Sequence, residues 1–339
     1  MNSFAARLRG LSDPLVRDLA GVMAAPSLLS DLAFARYPQL AGAVLSDEDC
    51  GRELELRWAD LLALDRDPRP LLEWTERAVQ AGSGPLLGRY FETLVEFWLW
   101  ELRGVARLKS GIQVRRERTT VGELDFVFEE AGEREPQHWE VAVKFYLCTA
   151  IDAEGASSAS AFYGTMTRDR MDLKVGKLAL QLGRAHEVEG AAALREADFL
   201  PPVRSRALVK GALFYPWKAQ GASLTADWGP KEASPAHLRG WWASALPVWG
   251  DPAASRWVEL DRRRWLSPFL ERASRAKVAT LSGVVLTREE MVARADAHFG
   301  EFRTALMVAR LERRPDDGLW EERDRGLLVH EGWPWPVRE

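Results

Sequence analysis

At Val105 the sequence changes its hydrophobic period. Up to Leu102 the apolar residues recur every three to four positions, and beyond Val105 they alternate. The first pattern buries one stripe of a helix and the second buries one face of a strand. The segment before the change, about Leu86–Leu102, carries Leu87, Phe91, Leu94 and Trp98. It is too apolar for a surface helix and is expected to pack across a sheet. The alternating segments predict three strands, about Ala106–Arg116, Glu123–Phe128 and Trp139–Leu147. Glu129–Gln137, a charged turn with Gly132 and Pro136, joins the second and third, which are therefore expected to pair antiparallel. A chain of this kind is expected to be α/β.

The rest of the chain is read around this core. Leu15–Ala24 and Glu53–Leu64 have helical spacing, Pro68 and Pro70 interrupt it, and Leu71–Ala81 resumes it. In the loop Gly82-Ser83-Gly84-Pro85, Ser83 can cap the next helix and Pro85 suits its first turn. A helix over about Arg170–Arg184 follows the loop Gly155–Gly164, in which Ser157–Ser160 reads as a flexible cover. Arg206–Tyr215 reads as a buried strand, and a helix is expected near Ala236–Leu246. A further helix opens at the capping box Thr287–Glu290 and runs to about Phe299, while Thr304–Leu311 and Gly326–Val329 read as late strands. The expected organisation is a helical N-terminal region (1–82), a central core (83–217) and an α+β C-terminal extension (218–339). The last either joins the same sheet or stands alone.

Composition narrows the function. Lys+Arg number 46 against 50 Asp+Glu, a net charge of −4, so nucleic acid could be held only by a local basic patch. The two cysteines, Cys50 and Cys148, form no CxxC, which argues against a zinc ribbon or disulfide framework and for a reducing compartment. With no apolar stretch long enough for a membrane span and no signal-peptide pattern, a cytoplasmic protein without membrane contact is expected. The five histidines lack HExxH spacing, and no GxSxG, GxxxxGK[ST] or GxGxxG after a strand occurs. Zincin, hydrolase-elbow, P-loop and dinucleotide readings therefore lack support. The 15 tryptophans follow no repeat period, against a propeller or solenoid.

Alternation sorts the hairpin onto two faces. Trp139, Val141, Val143, Phe145 and Leu147 form one; His138, Glu140, Ala142, Lys144 and Tyr146 form the other. On the partner strand Leu124, Phe126 and Phe128 are expected to face the core, with Glu123, Asp125 and Val127 opposite. Asp125, Glu140 and Lys144 then gather on one side. A solvated carboxylate–lysine pair there would be worth only ~0.2–1 kcal/mol, but Tyr146 and the flanking apolar residues indicate a covered face. His138 is either an exposed strand-end histidine or a partner of Glu140. On the preceding helix Arg89, Glu92 and Glu96 share one stripe, either as a salt-bridged surface or as contributors to the same site. On the later helix Asp172, Lys174 and Lys177 are routine helix charge pairs, or Lys177 and Gln181, four apart on one face, reach phosphate or bases. Basic residues cluster at Arg115, Arg116 and Arg118, at Arg168 and Arg170, and at Arg262–Arg264. The second cluster enters the helix beside the constellation, where it could steer phosphate.

Leu87-Gly88-Arg89-Tyr90-Phe91-Glu92, Gly122–Phe126, Trp139–Leu147 and Asp169-Arg170-Met171-Asp172-Leu173-Lys174, with Lys177 and Gln181, resemble the bacterial DUF1853 family. Behind it, a helix with an embedded Glu, a Gly-Glu-Leu-Asp strand and a strand ending in Lys resemble the PD-(D/E)xK nuclease-like superfamily. The resemblance implies a restriction-endonuclease-like core, a mixed sheet flanked by helices, and Mg²⁺-dependent (or Mn²⁺-dependent) hydrolysis of DNA. Carboxylates would hold the ion, which activates water, and a lysine would stabilise the developing charge. Asp125 would be the first metal ligand, Lys144 the charge-stabilising group, and Arg168, Arg170, Lys174, Lys177 and Gln181 the substrate contacts. The superfamily's second acid stands two residues before the lysine, where this chain has Ala142. Either the acid has moved to Glu140, or Glu92 (or Glu96) supplies it, or the scaffold is kept without catalysis to bind nucleic acid or a protein partner.

Overall fold

Helices come first along the chain. They are α1 (Ser3–Leu8), α2 (Pro14–Ala24), α3 (Asp47–Leu56), α4 (Trp58–Arg66) and α5 (Arg69–Ala78). The structure, a computed structural model, describes residues 3–83, 86–133, 135–217, 228–248, 255–271 and 283–334. Asp13 caps α2 by accepting the Leu15 and Val16 N–H groups, and every residue of that helix is buried. The single helix expected over Glu53–Leu64 is two, because Arg57 (φ −105°, ψ 8°) leaves helical geometry between α3 and α4. The apolar helix α6 (Leu87–Phe97) continues through a wider turn, Trp98–Leu102. Its N-cap is Leu86, without a side-chain cap, so Ser83 does not start it; it ends the turn Val79–Ser83 instead. Gly84 and Pro85 lie outside the described residues.

The expected strands follow as β1 (Arg107–Arg116), β2 (Thr119–Glu129) and β3 (Gln137–Cys148). After α7 (Ala153–Ala156), β4 (Phe162–Gly164), α8 (Met171–Arg184) and α9 (Val188–Glu196) comes β5 (Arg204–Pro216). The final third adds β6 (Leu238–Ala243), β7 (Arg256–Leu260), α10 (Arg288–Glu301), β8 (Leu306–Arg313) and β9 (Trp320–Leu328). All nine strands form one mixed sheet in the order β1-β2-β3-β5-β6-β9-β8-β7, with β4 paired to β3. The pairs β3–β5, β5–β6 and β6–β9 are parallel, and the two ends of the sheet are antiparallel. The capping box of α10 forms as expected, with Thr287 and Glu290 each bonding the other's backbone.

Two expectations fail for tertiary reasons. The helix expected near Ala236–Leu246 is the strand β6, inserted between β5 and β9. Its Gly240 lies so close to Phe214 that an added Cβ would stand 2.4 Å from the ring, so pairing and packing override a weak helical pattern. The Ser157–Ser160 stretch is no open cover. Ala159–Ala161 form a capped turn, and Ala156 and Ala159 are buried in the core beneath α8.

β3 separates two cores. Trp139, Val141 and Val143 pack with Phe91 and Leu94 of α6 and with Trp98 of its continuing turn. Ala142 and Tyr146 pack with Val175, Leu178 and Leu182 of α8. Both faces are thus covered, and the polar face of β3 lies under α8. On β2, Phe126 and Phe128 join the α6 core, whereas Leu124 packs with Val127 on the other side, contrary to strict alternation. The reason is a local distortion. Ser110↔Phe126 and Ile112↔Leu124 pair, but between them Gly111 has φ +65°, a conformation open chiefly to glycine. Asp125 sits opposite that kink.

No helix among the described residues is long and apolar enough to cross a membrane. Cys50 and Cys148 are free and buried.

Candidate functional site

β2 and β3 pair only at Phe126↔Trp139, Val127↔His138 and Phe128↔Gln137, and then part. Asp125 stands where they part. Its Oδ2 accepts the Val141 N–H at 2.9 Å, taking the place of a strand carbonyl. That bond sets Asp125 beside Glu140, the fully buried residue that precedes Val141. Glu140 Oε1 lies 3.0 Å from His138 Nε2; its Oε2 meets no donor at full hydrogen-bond geometry, although the Asp125 N–H and carboxyl group lie close enough to lower its pKa. Burial, and then the Glu140 carboxylate, push Asp125 up to about 7. Burial pushes Glu140 up to about 8. Two acids in one low-dielectric site resist ionising together.

His138 is fully buried rather than an exposed strand end, and burial pushes it down to about 4, so it is neutral near pH 7. Its Nδ1 is 2.9 Å from Ser205 Oγ, which is 3.0 Å from Nε2 of the exposed His186. Sequence reading missed Ser205 and His186. They reach the site through the parallel register His138↔Ser205, a pairing between distant segments that leaves no local pattern.

The α8 side is basic. Lys174 is half-buried; burial, then Lys144, lower its pKa, while Asp125 and Glu140 act in the opposite sense. Lys144 does not join the carboxylate pair. Its Nζ is 2.5 Å from Oδ2 of Asp169, a residue assigned no role from sequence, whose Oδ1 accepts the Tyr146 hydroxyl at 3.4 Å. Lys177 is exposed one turn beyond Lys174, and Gln181 has its Oε1 buried without a partner. Arg168 is exposed on the loop into α8, whereas Arg170 is held by Asp172 in a two-point contact of 2.6 and 2.9 Å.

The α6 side is acidic. A trough of about 160 Å³ runs between α6 and the β1–β2 hairpin and is lined by Arg89, Glu92, Glu96, Glu123 and Asp125. Glu92 pairs with Arg89 at 2.8 Å; burial raises its pKa, and Asp125 and Glu123 add to the rise. Glu96 accepts the Ser110 hydroxyl at 3.0 Å. The other arginine clusters lie elsewhere: Arg116 pairs with Glu189, and Arg264 is buried, its charge acting on Asp18.

Among the described residues, no three His, Cys, Asp or Glu side chains gather in a way that could hold a metal ion. Asp125 and Glu140 are the adjacent acids that could share a divalent cation, since Glu140 Oε2 meets no donor at full hydrogen-bond geometry. Mg²⁺ is commonly held by one or two carboxylates, with waters and substrate phosphate completing the octahedron.

No curated protein and no solved structure matches the chain. Residues 17–329 match the family described as Domain of unknown function (DUF1853), and with nearly its whole length covered the chain belongs to that family.

Proposed function

We propose that this protein is a Mg²⁺-dependent (or Mn²⁺-dependent) nuclease that hydrolyses phosphodiester bonds of DNA. The observation that carries the reading is the Asp125–Glu140 pair: two acids held side by side by burial, one oxygen of Glu140 meeting no donor at full hydrogen-bond geometry, opposite Lys174. Such a pair is costly when charged and is relieved by a cation. The element order α6–β1–β2–β3–α7–β4–α8–α9–β5, with β5 parallel to β3, supports a restriction-endonuclease-like core.

Asp125 and Glu140 would hold the ion, with Glu92 or Glu96 reaching it from the trough. The bound ion would supply Lewis acidity at the phosphate and lower the pKa of a water. His138 fixes the orientation of Glu140 from behind. Lys174 would neutralise the phosphate, and Lys144 would do so on release from Asp169. Lys177, Gln181, Arg168 and Arg170 would extend the contact along the strand. Ala142, at the usual position of the second acid, lies in the α8 core, while Asp125 meets β3 one residue after Glu140. That is the physical reason to place the second acid at Glu140.

The test is cleavage of single- and double-stranded DNA with Mg²⁺ or Mn²⁺ by wild type, Asp125→Asn and Glu140→Gln. Metal-dependent cleavage lost in both variants supports the reading; equal cleavage by all three overturns it. The second reading, a non-catalytic scaffold binding nucleic acid or a protein partner, draws on the Lys144–Asp169 ion pair and on Ala142. Binding without cleavage by wild type would select it.

A further inference from the structure

The trough that reaches Asp125 does not end at the carboxylates. Beyond Glu96, Ser110 and Gly111, which line both, lies a wider and more open depression of about 530 Å³, walled by Trp74, Trp100 and Leu108 and rimmed by Lys109. A single stripe of α6 and its continuing turn lines both: Arg89, Glu92, Glu96 and then Trp100, at three- and four-residue spacing. From Glu92 to Trp100 is about 12 Å at 1.5 Å per residue.

The aromatic wall is unusual for a surface. Trp100 is 44% exposed although Trp98 and Leu99 beside it are fully buried. Trp74 is held in place by an edge-on contact with Phe97 (5.7 Å between ring centres) and by the Arg77 guanidinium 5.6 Å from its ring. Trp100 thus presents an exposed indole, with the half-buried Trp74 behind it, in a depression that adjoins the trough reaching Asp125. An open shelf with an exposed indole suits a planar ring, and indole faces stack on nucleobases without regard to sequence.

We propose that this shelf receives an unpaired nucleobase of the strand whose phosphate is held at Asp125 and Glu140, so that the substrate is single-stranded or frayed DNA. The inference rests on the nuclease reading and adds the strandedness of its substrate. A base inside a duplex keeps its faces stacked on its neighbours and cannot offer one to Trp100. The carboxylates between shelf and site, Glu92, Glu96 and Glu123, would repel a bare phosphate chain. Binding in this trough therefore requires the cation that balances Asp125 and Glu140.

The experiment measures affinity of the full chain for a short fluorescent single-stranded DNA with non-hydrolysable linkages and for a blunt duplex, each with and without Mg²⁺. Trp100→Ala should weaken Mg²⁺-dependent single-strand binding by about 5- to 100-fold and leave duplex binding unchanged. Trp100→Phe should restore most of the loss, which separates stacking from misfolding. An oligonucleotide with abasic sites should bind wild type and Trp100→Ala alike. Wild type that binds the single strand as tightly as Trp100→Ala overturns the shelf and leaves the nuclease reading standing, as would be found if the shelf takes a protein. Wild type that binds and cleaves no nucleic acid overturns the nuclease reading, and the shelf with it.

Discussion

The two helices that flank the fork face it with opposite charge. α6 offers Glu92 and Glu96 along a trough that reaches Asp125, and its one cation there, Arg89, is tied to Glu92. α8 offers Lys174 and Lys177, and Lys174 feels both Asp125 and Glu140. The same buried acid pair thus lies between an acidic wall and a basic one. Mixing the charges on one wall would let them neutralise one another in short ion pairs, as Arg170 and Asp172 do. Separation leaves each wall a net field to present to a ligand.

The sharpest way to break this contrast is to empty its centre. Asp125→Ala should abolish Mg²⁺-dependent cleavage, a loss of several kcal/mol of transition-state stabilisation if Asp125 holds the ion. The fold should survive, as read by a thermal melt alongside the nuclease assay. A large drop in melting temperature would make Asp125 a structural carboxylate that serves the Val141 N–H.

Next in size is the pH dependence of stability without divalent cation. A carboxyl raised in the folded state contributes stability that is complete below its unfolded value near 4 and lost as pH rises through the folded value. For Asp125 and Glu140 the loss runs up to about 7 and about 8. His138 and His237, both lowered to about 4 by burial, work the other way, adding stability as pH rises from about 4 to 6.5. Above pH ~6.5 the histidine contribution is complete and Lys174, lowered by burial, offsets the acids only in part, so wild type should lose stability towards pH 8, on the order of a few kcal/mol. Asp125→Asn should reduce that slope, and Mg²⁺ should restore stability to wild type alone. Denaturant melts at pH 6.5 and 8 measure both; parallel slopes would mean that the pair is not electrostatically strained.

The lysines give a smaller, more discriminating effect. Lys174→Ala should raise the pH needed for activity, because it removes the cation that lowers the Glu140 pKa, whereas Lys144→Ala should not. A pH–rate profile that shifts only for Lys144→Ala would reverse their roles. Smallest is Glu92→Gln: its surface pair with Arg89 is worth ~1 kcal/mol or less, so stability should hardly move. A fall in Mg²⁺ affinity at unchanged stability would show that Glu92 serves the ion from the trough.

Much of the framework was legible because its signals are local. The period change at Val105, the charged turn before β3, the spacing on α8 and the capping box at Thr287 each lie within a few residues, and each produced its element. Asp125 and Glu140 were legible as neighbours for the same reason, through strand alternation and a short hairpin. Leu124 was not, since the kink at Gly111 breaks the alternation from the neighbouring strand. Nor was the burial of His138, because the element that covers it belongs to a later part of the chain.

By itself the sequence determined which segments are helices and strands around the hairpin, and which acids stand on it, because backbone geometry converts spacing directly into faces. Only the tertiary structure decided that β6 is a strand, that Lys144 turns to Asp169, and that Ser205 and His186 close the chain of bonds behind Glu140. Those outcomes depend on which distant segments pair and on how much water the pairing removes. The cost of burying a charge, which sets the state of Asp125 and Glu140, exists only once α6 and α8 have closed over the fork.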